Sequence, residues 1–232
     1  MFRRQENTSV KIVTFCSTLT CIYIPSIIFV LYYTNNIYRL GKYSSGYLLL
    51  ALLLAELFKI GFAIAQPDAS TLKDAKHVKS KKVIKIRSRD VFKALIMLPC
   101  CVAIYFVLII LFGAPITTAH EETFMLSLLL TVLTVFPSCF QAGVDATVTL
   151  LTGLKWHSGD KMMEMLQQNI ILTIFGTWCG GIVIPLDWDR PWQVWPIPCC
   201  LGAIIGYLFS HAITLIKLIP FIAKRIAKRN RF

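Results

Sequence analysis

The sequence predicts an all-α fold: a polytopic membrane protein of about six transmembrane helices, with both termini cytosolic. Three observations carry this expectation. The 232 residues are 56% hydrophobic and only 16% charged, with a mean hydropathy of +0.65, whereas soluble domains carry roughly 25% charged residues. Several apolar runs reach the ~20 residues that a helix needs to cross a bilayer. Finally, the basic residues fall on alternate connections between those runs.

The chain reads as a single membrane domain, 1–232. The first helix is expected at about 12–33, with Pro25 as a kink. Its apolar run is longer than a usual signal-peptide core and lacks a clear small-x-small exit, so a retained anchor is expected. The second helix, about 45–65, and the third, about 91–112, follow from unbroken apolar runs. A fourth, about 123–141, bends at Pro137. The fifth covers about 166–186 and the sixth about 197–219.

Between the second and third helices lies the basic loop 66–90, "QPDASTLKDAKHVKSKKVIKIRSRD". It has few large apolar residues and reads as a surface-bound connection. With six crossings, the N-terminus, this loop, the connection after the fourth helix and the C-terminal tail share one side and hold eighteen basic residues. The other side has Arg39, Lys42 and Arg190. Lysine and arginine concentrate on the cytosolic side of short connections, so both termini are placed there.

A net charge of +12 would suggest nucleic acid for a soluble chain. No stacking aromatics interleave the lysines of 66–90, so anionic lipid headgroups are the expected partner and nucleic acid is not. The eight cysteines contain no CxxC spacing and read as small apolar fillers rather than as metal or redox sites.

One stretch stands apart. "IPLDWDRPWQVWPIP", 184–198, lies between the last two helices, on the lumenal or exterior side. Asp187 and Asp189, with His120, Glu121 and Glu122 from the same side, would suit a divalent cation in a catalytic reading. No HExxH, DxDG or GxSxG pattern accompanies them. The structural reading needs less. Pro185, Pro191, Pro196 and Pro198 fix φ and stop helices, while Trp188, Trp192 and Trp195 suit the membrane interface. Arg190 is expected to pair with Asp187 or Asp189. The expectation is a rigid corner, with no metal, no cofactor and no catalytic residue.

The helices meeting at this corner each carry a GxxxG pattern, Gly176 with Gly180 and Gly202 with Gly206. Such faces let backbones approach closely, either for packing on each other or for docking a partner. Glu56 and Lys59 lie three apart on one face of the second helix and can neutralise each other, in the cytosolic half where a lysine can snorkel; the expectation is a structural pair or a contact with a partner helix. His211 in the sixth helix is expected to bond a neighbouring helix.

"PLDWDRPWQVWPI" followed by "LGAIIGY", with "FGAP" at 112–115 and "EETF" at 121–124, resembles the signature of the PIG-F family of phosphatidylinositol-glycan biosynthesis class F proteins. The resemblance covers roughly 110–210. It implies a multi-pass protein of the endoplasmic reticulum membrane that works in GPI-anchor biosynthesis. It also implies partners: the large ethanolamine phosphate transferases, class O and class G proteins, which such a subunit binds and stabilises. Asp187, Trp188, Asp189, Arg190, Pro191, Trp192, Trp195 and Pro196 would then support the partner. Two rival roles are direct participation in phosphoethanolamine transfer, and movement of the phospholipid donor along a groove faced by Glu56 and His211.

The topology yields a first prediction. The sequon Asn7-Thr8-Ser9 lies on the cytosolic side, out of reach of secretory glycosylation. Treating the expressed protein with a glycan-removing enzyme should leave its gel mobility unchanged; a shift traced to Asn7 would invert the topology.

Overall fold

The computed structural model describes residues 2–65, 88–115, 118–153 and 160–229. Most of the basic loop 66–90 lies outside these residues. The described residues form helices and turns, without strands: α1 Phe2–Tyr33, α2 Gly46–Ala65, α3 Ser88–Leu111, α4 His120–Leu130, α5 Phe136–Gln141, α6 Val144–Leu151, α7 Lys161–Val183 and α8 Ile197–Arg229. Among the described residues, five stretches are long and apolar enough to cross a membrane: Ser9–Tyr33, Tyr43–Ala65, Val91–Leu111, His120–Gln141 and Ile197–Pro220. The protein is a helical membrane protein.

α7 is not among those five, because its first half carries Lys161, Glu164, Gln167, Gln168 and Asn169. At ~1.5 Å per residue its 23 residues nevertheless extend about 34 Å, more than the ~30 Å hydrocarbon layer. Several bounds differ from the sequence expectation. α7 starts five residues earlier than 166, where Asp160 caps it by accepting from the Met162 N–H at 3.0 Å. α1 and α8 run on past their apolar cores into charged segments. The short helix α6 lies in a connection read as loop; Thr147 and Leu150 bury its inner face.

Two ends can be distinguished. At one, the turn after α1, the start of α4 and the α7–α8 connection meet: Glu121 accepts the Tyr43 N–H, and Trp195 Nε1 donates to Thr123 Oγ1 at 3.3 Å. At the other, Val13 of α1, Ala63 of α2, Leu150 of α6, Leu166 of α7 and Leu218 of α8 form one apolar cluster. The larger core lies between, built on Ile24, Leu52, Leu126, Leu133, Ala203 and Ile204. The His120–Gln141 stretch runs through the middle of the bundle with 78% of its membrane window buried, against 17% for α3 at the periphery.

The expected bend at Pro137 takes a specific form. Thr131–Val135 is a π-helical turn between α4 and α5, with the Phe136 N–H donating to the Thr131 carbonyl. Such a bulge widens the helix by one residue per turn. Pro137 has no N–H to offer the carbonyl four residues back, and Asn169 Nδ2 of α7 donates to that Leu133 carbonyl at 2.9 Å. Asn169 is thus a buried link between α7 and the central helix.

The α7–α8 seam is the tightest in the molecule. A Cβ added at Gly176 would collide with the Gly202 carbonyl, one at Gly180 with the Pro198 carbonyl, and one at Gly206 with the Leu172 carbonyl. The backbones themselves are in contact, as small-residue membrane interfaces allow. Gly202→Leu should therefore lower the melting temperature in detergent, at a cost of about 1–3 kcal/mol or more from overpacking. Gly61→Leu, whose Cβ meets nothing within 4 Å, should leave it nearly unchanged. Asn169→Ala should cost about 1–3 kcal/mol by orphaning the Leu133 carbonyl.

Candidate functional site

Two polar features stand out from the apolar bundle: a charged cluster in its interior, and the proline–tryptophan corner at one end.

The interior cluster joins α1, α2 and α8. Glu56 and Lys59 are 0% and 1% exposed and form an ion pair at 2.6 Å. Lys59 Nζ also donates to Tyr207 Oη at 2.6 Å and to Thr20 Oγ1 at 3.1 Å. The Tyr207 and Tyr23 hydroxyls both donate to Glu56 Oε1, the latter at 3.2 Å. Lys59 further lies 5.1 Å from the Tyr207 ring centre and 5.7 Å from that of Tyr23. Below, His211 packs edge-on against Tyr207, and its Nδ1 lies 3.2 Å from Ser17 Oγ on α1. Lys59 is therefore held in a structural pair and does not snorkel. Its face points inward, where three acceptors meet its ammonium group. Glu56 and His211 line neither the apolar groove on the α7–α8 seam nor the one between α3 and α4.

The corner is built around Gln193. Its Oε1 accepts the Arg190 N–H at 2.9 Å, while its Nε2 donates to the carbonyls of Val183 at 3.0 Å and Leu186 at 2.8 Å. This one buried amide ties the end of α7 to the single 3₁₀ turn Pro191–Gln193 that leads into α8. Asp189 takes a positive φ of 45° to let the chain reverse. Trp188 and Trp192 meet edge to face at 6.0 Å. Pro196, after a cis peptide bond, is buried against Gly41, whose φ of 88° and close approach leave no room for a Cβ.

The expected pairing of Arg190 with Asp187 or Asp189 is not made. All three side chains are exposed, and none has an ion-pair partner among the described residues. Gln193 holds the turn through backbone groups and needs no charge pair. Of the polar residues considered with the aspartates, Glu121 is engaged by the Tyr43 N–H. Among the described residues no group of three His, Cys, Asp or Glu side chains is arranged to hold a metal. The eight thiols are free.

Sequence reasoning missed Tyr23, Thr20, Tyr207, Ser17 and Gln193. Glu56 and Lys59 announced themselves as charges in an apolar run, but their partners are tyrosines and threonines of ordinary membrane-helix composition. A glutamine between two tryptophans was a usable signal, because a turn buried at a membrane interface must satisfy its own carbonyls.

A buried pair broken on one side leaves an uncompensated charge, whereas replacing both partners by apolar groups is often neutral. Glu56→Gln or Lys59→Met alone should each cost about 3–5 kcal/mol, read as a loss of folded protein in detergent. The double substitution Glu56→Leu with Lys59→Met should recover more than half of that loss. Additive losses would mean that the two residues act separately.

The sequence matches the profile of the GPI biosynthesis protein family Pig-F over residues 8–215. A human relative, "GPI ethanolamine phosphate transferase, stabilizing subunit", is 36% identical over 125 residues, covering 50% of this chain and 56% of its own length. "Glycosylphosphatidylinositol anchor biosynthesis protein 11" of Pyricularia oryzae is 33% identical over 123 residues, 51% of this chain and 44% of the relative. A Schizosaccharomyces pombe "PIGF/3-ketodihydrosphingosine reductase fusion protein" is 38% identical over 105 residues, 44% of this chain and 20% of the relative. The chain thus spans about half or less of these curated relatives. No solved structure matches it. The profile match takes in both the interior cluster and the corner, and the chain belongs to the GPI biosynthesis protein family Pig-F.

Proposed function

We propose that this protein is a non-catalytic membrane subunit that binds and stabilises the ethanolamine phosphate transferases of GPI-anchor biosynthesis in the endoplasmic reticulum. The observation that carries this reading is family membership over residues 8–215, joined to the stabilizing-subunit name of the human relative. Class O and class G transferases are the partners that the reading names.

In this reading α7 is a sixth crossing, and the corner end faces the lumen. The gathering of the α1–α2, α3–α4 and α7–α8 connections at one end supports an even number of crossings. The scarcity of lysine and arginine there supports cytosolic termini. The partner surface is the corner itself. Gln193 spends its hydrogen bonds internally, and the outward-facing groups include Asp187, Trp188, Asp189 and Arg190, fixed on a turn that loses little entropy on binding. Trp188, 56% exposed, is the largest of them.

The test is an affinity purification in mild detergent, with transferase levels measured in parallel. A large ethanolamine phosphate transferase should co-purify, and its level should fall when this chain is depleted. Trp188→Ala should lower the co-purified transferase about tenfold or more, as the loss of an interfacial anchor does, while this chain's own level holds. Gln193→Ala should lower both. Loss of transferase activity without loss of transferase protein would instead favour direct participation in the transfer.

A further inference from the structure

Four buried side-chain atoms among the described residues lack a hydrogen-bond partner: Glu56 Oε2, Gln141 Oε1, Ser210 Oγ and His211 Nε2. Two of them, Glu56 Oε2 and His211 Nε2, belong to the interior cluster, on residues that both touch Tyr207. The Tyr207 hydroxyl donates to the other carboxylate oxygen of Glu56, and its ring meets that of His211 with centres 4.7 Å apart.

Glu56 is unevenly served. Lys59, Tyr23 and Tyr207 all donate to Oε1, while Oε2 receives no bond from the described residues. A bare carboxylate oxygen in so apolar a setting is costly, and native structures close such gaps with ordered water or an ion.

Charge and bonding capacity decide between the two. A cation is disfavoured by the Lys59 ammonium already bound at Oε1, and an anion by the carboxylate itself. The missing partner is therefore neutral. Paired with Lys59, the carboxylate is ionised and only accepts, so Oε2 calls for a donor. His211 Nδ1 lies 3.2 Å from Ser17 Oγ, and Nε2 donates or accepts according to which ring nitrogen carries the proton. Water serves either case. Access agrees. Ser17, Glu56 and Tyr207 are fully buried, Lys59 is 1% exposed and His211 2%. Neither apolar groove is lined by Glu56 or His211, so neither brings a lipid headgroup to them. The occupant is enclosed by protein, as buried waters that satisfy otherwise unmatched polar groups are.

We propose that the interior cluster holds bound water, which donates to Glu56 Oε2 and completes the bonding of His211 Nε2. The water then extends the bonding of the ion pair on α2 to His211 on α8. The site is independent of the proposed partner and of which compartment the corner faces.

Pulsed X-ray radiolysis of the full chain in bilayers tests this. Hydroxyl radicals formed from a bound water oxidise the side chains beside it, even where bulk water does not reach. Tyr207 should be oxidised several-fold faster than Tyr105, and His211 should be oxidised too. Tyr105 is the dry control: it is also buried, and its hydroxyl is partnered by Thr134 at 3.0 Å. When heavy-oxygen water is mixed in just before the pulse, Tyr207 should still take up light oxygen, while the 81% exposed Tyr33 takes up heavy. In the double variant Glu56→Leu with Lys59→Met, Tyr207 oxidation should fall to the Tyr105 level. If that variant fails to fold, the wild-type ratio and the oxygen source decide. Equal oxidation of Tyr207 and Tyr105, or an unoxidised His211, overturns the proposal. So does immediate heavy-oxygen uptake at Tyr207, the mark of a cluster open to bulk water, or undiminished Tyr207 oxidation in the folded double variant.

Discussion

The structure depends on one constraint: inside hydrocarbon no water is present to satisfy a polar group, so each must find its partner within the protein. The Glu56–Lys59 pair shows the consequence most clearly. Lys59 meets Glu56, Tyr207 and Thr20, so one ammonium group engages three helices. Because these bonds are directional, they are made together only at one rotation and one height of α1, α2 and α8. An apolar core tolerates small slips; a charged one in lipid does not. The cluster thus sets the register of the bundle, and Asn169 does the same for α7 against the central helix.

The corner inherits its position from these anchors. α8 is held by Tyr207 and His211 to α2 and α1, and α7 is held to α8 by direct backbone contact at the four glycines. With both flanking helices fixed, the 184–196 connection has little freedom left. Gln193 removes most of it by bridging Val183, Leu186 and Arg190. The outward side chains include the charged and aromatic Asp187, Trp188, Asp189 and Arg190 beside the aliphatic Leu186 and Val194, and the ring of Trp188 meets that of Trp192. A surface whose shape is set from below can keep its outward groups available for recognition.

Much of this was legible in the sequence, and the limits follow from geometry. Long apolar runs specify helices because length alone decides whether they span. The Glu56–Lys59 pair was legible because residues three apart share a helix face whatever surrounds them. Tyr207 and Thr20 were not, since which residues of two helices meet depends on rotations that composition does not encode. Whether Lys59 would snorkel was open for the same reason: its position along the helix allowed it, while the inward direction of its face decided the outcome. The paired glycines were ambiguous between mutual packing and docking, and only the closeness of Gly176 to Gly202 separates the two. Arg190 was assigned an acid because two lay beside it in sequence, yet Asp189 turns the chain through a positive φ and no ion pair forms between Arg190 and either aspartate.

The same accounting bears on how a protein of this kind serves a partner. Its interior charges are spent within the bundle: Lys59 on three acceptors, Glu56 on a lysine and two tyrosines. Glu56 Oε2 and His211 Nε2 have no hydrogen-bond partner among the described residues, but both side chains are buried within the bundle, away from an outside molecule. Recognition under the proposed function must then use what the fold presents at its surface, the corner and the lipid-facing helices. α3 is the least buried span of the five, and in a lone subunit its exposed apolar face is satisfied by lipid alone. Helix contact there would gain only packing, because lipid offers no hydrophobic contrast to drive it. The corner differs, since it stands where water begins. Burying Trp188 against a partner removes apolar area from water, the one driving force available at that end and absent in the membrane. Affinity for a partner should therefore reside at the corner, with the membrane faces contributing orientation.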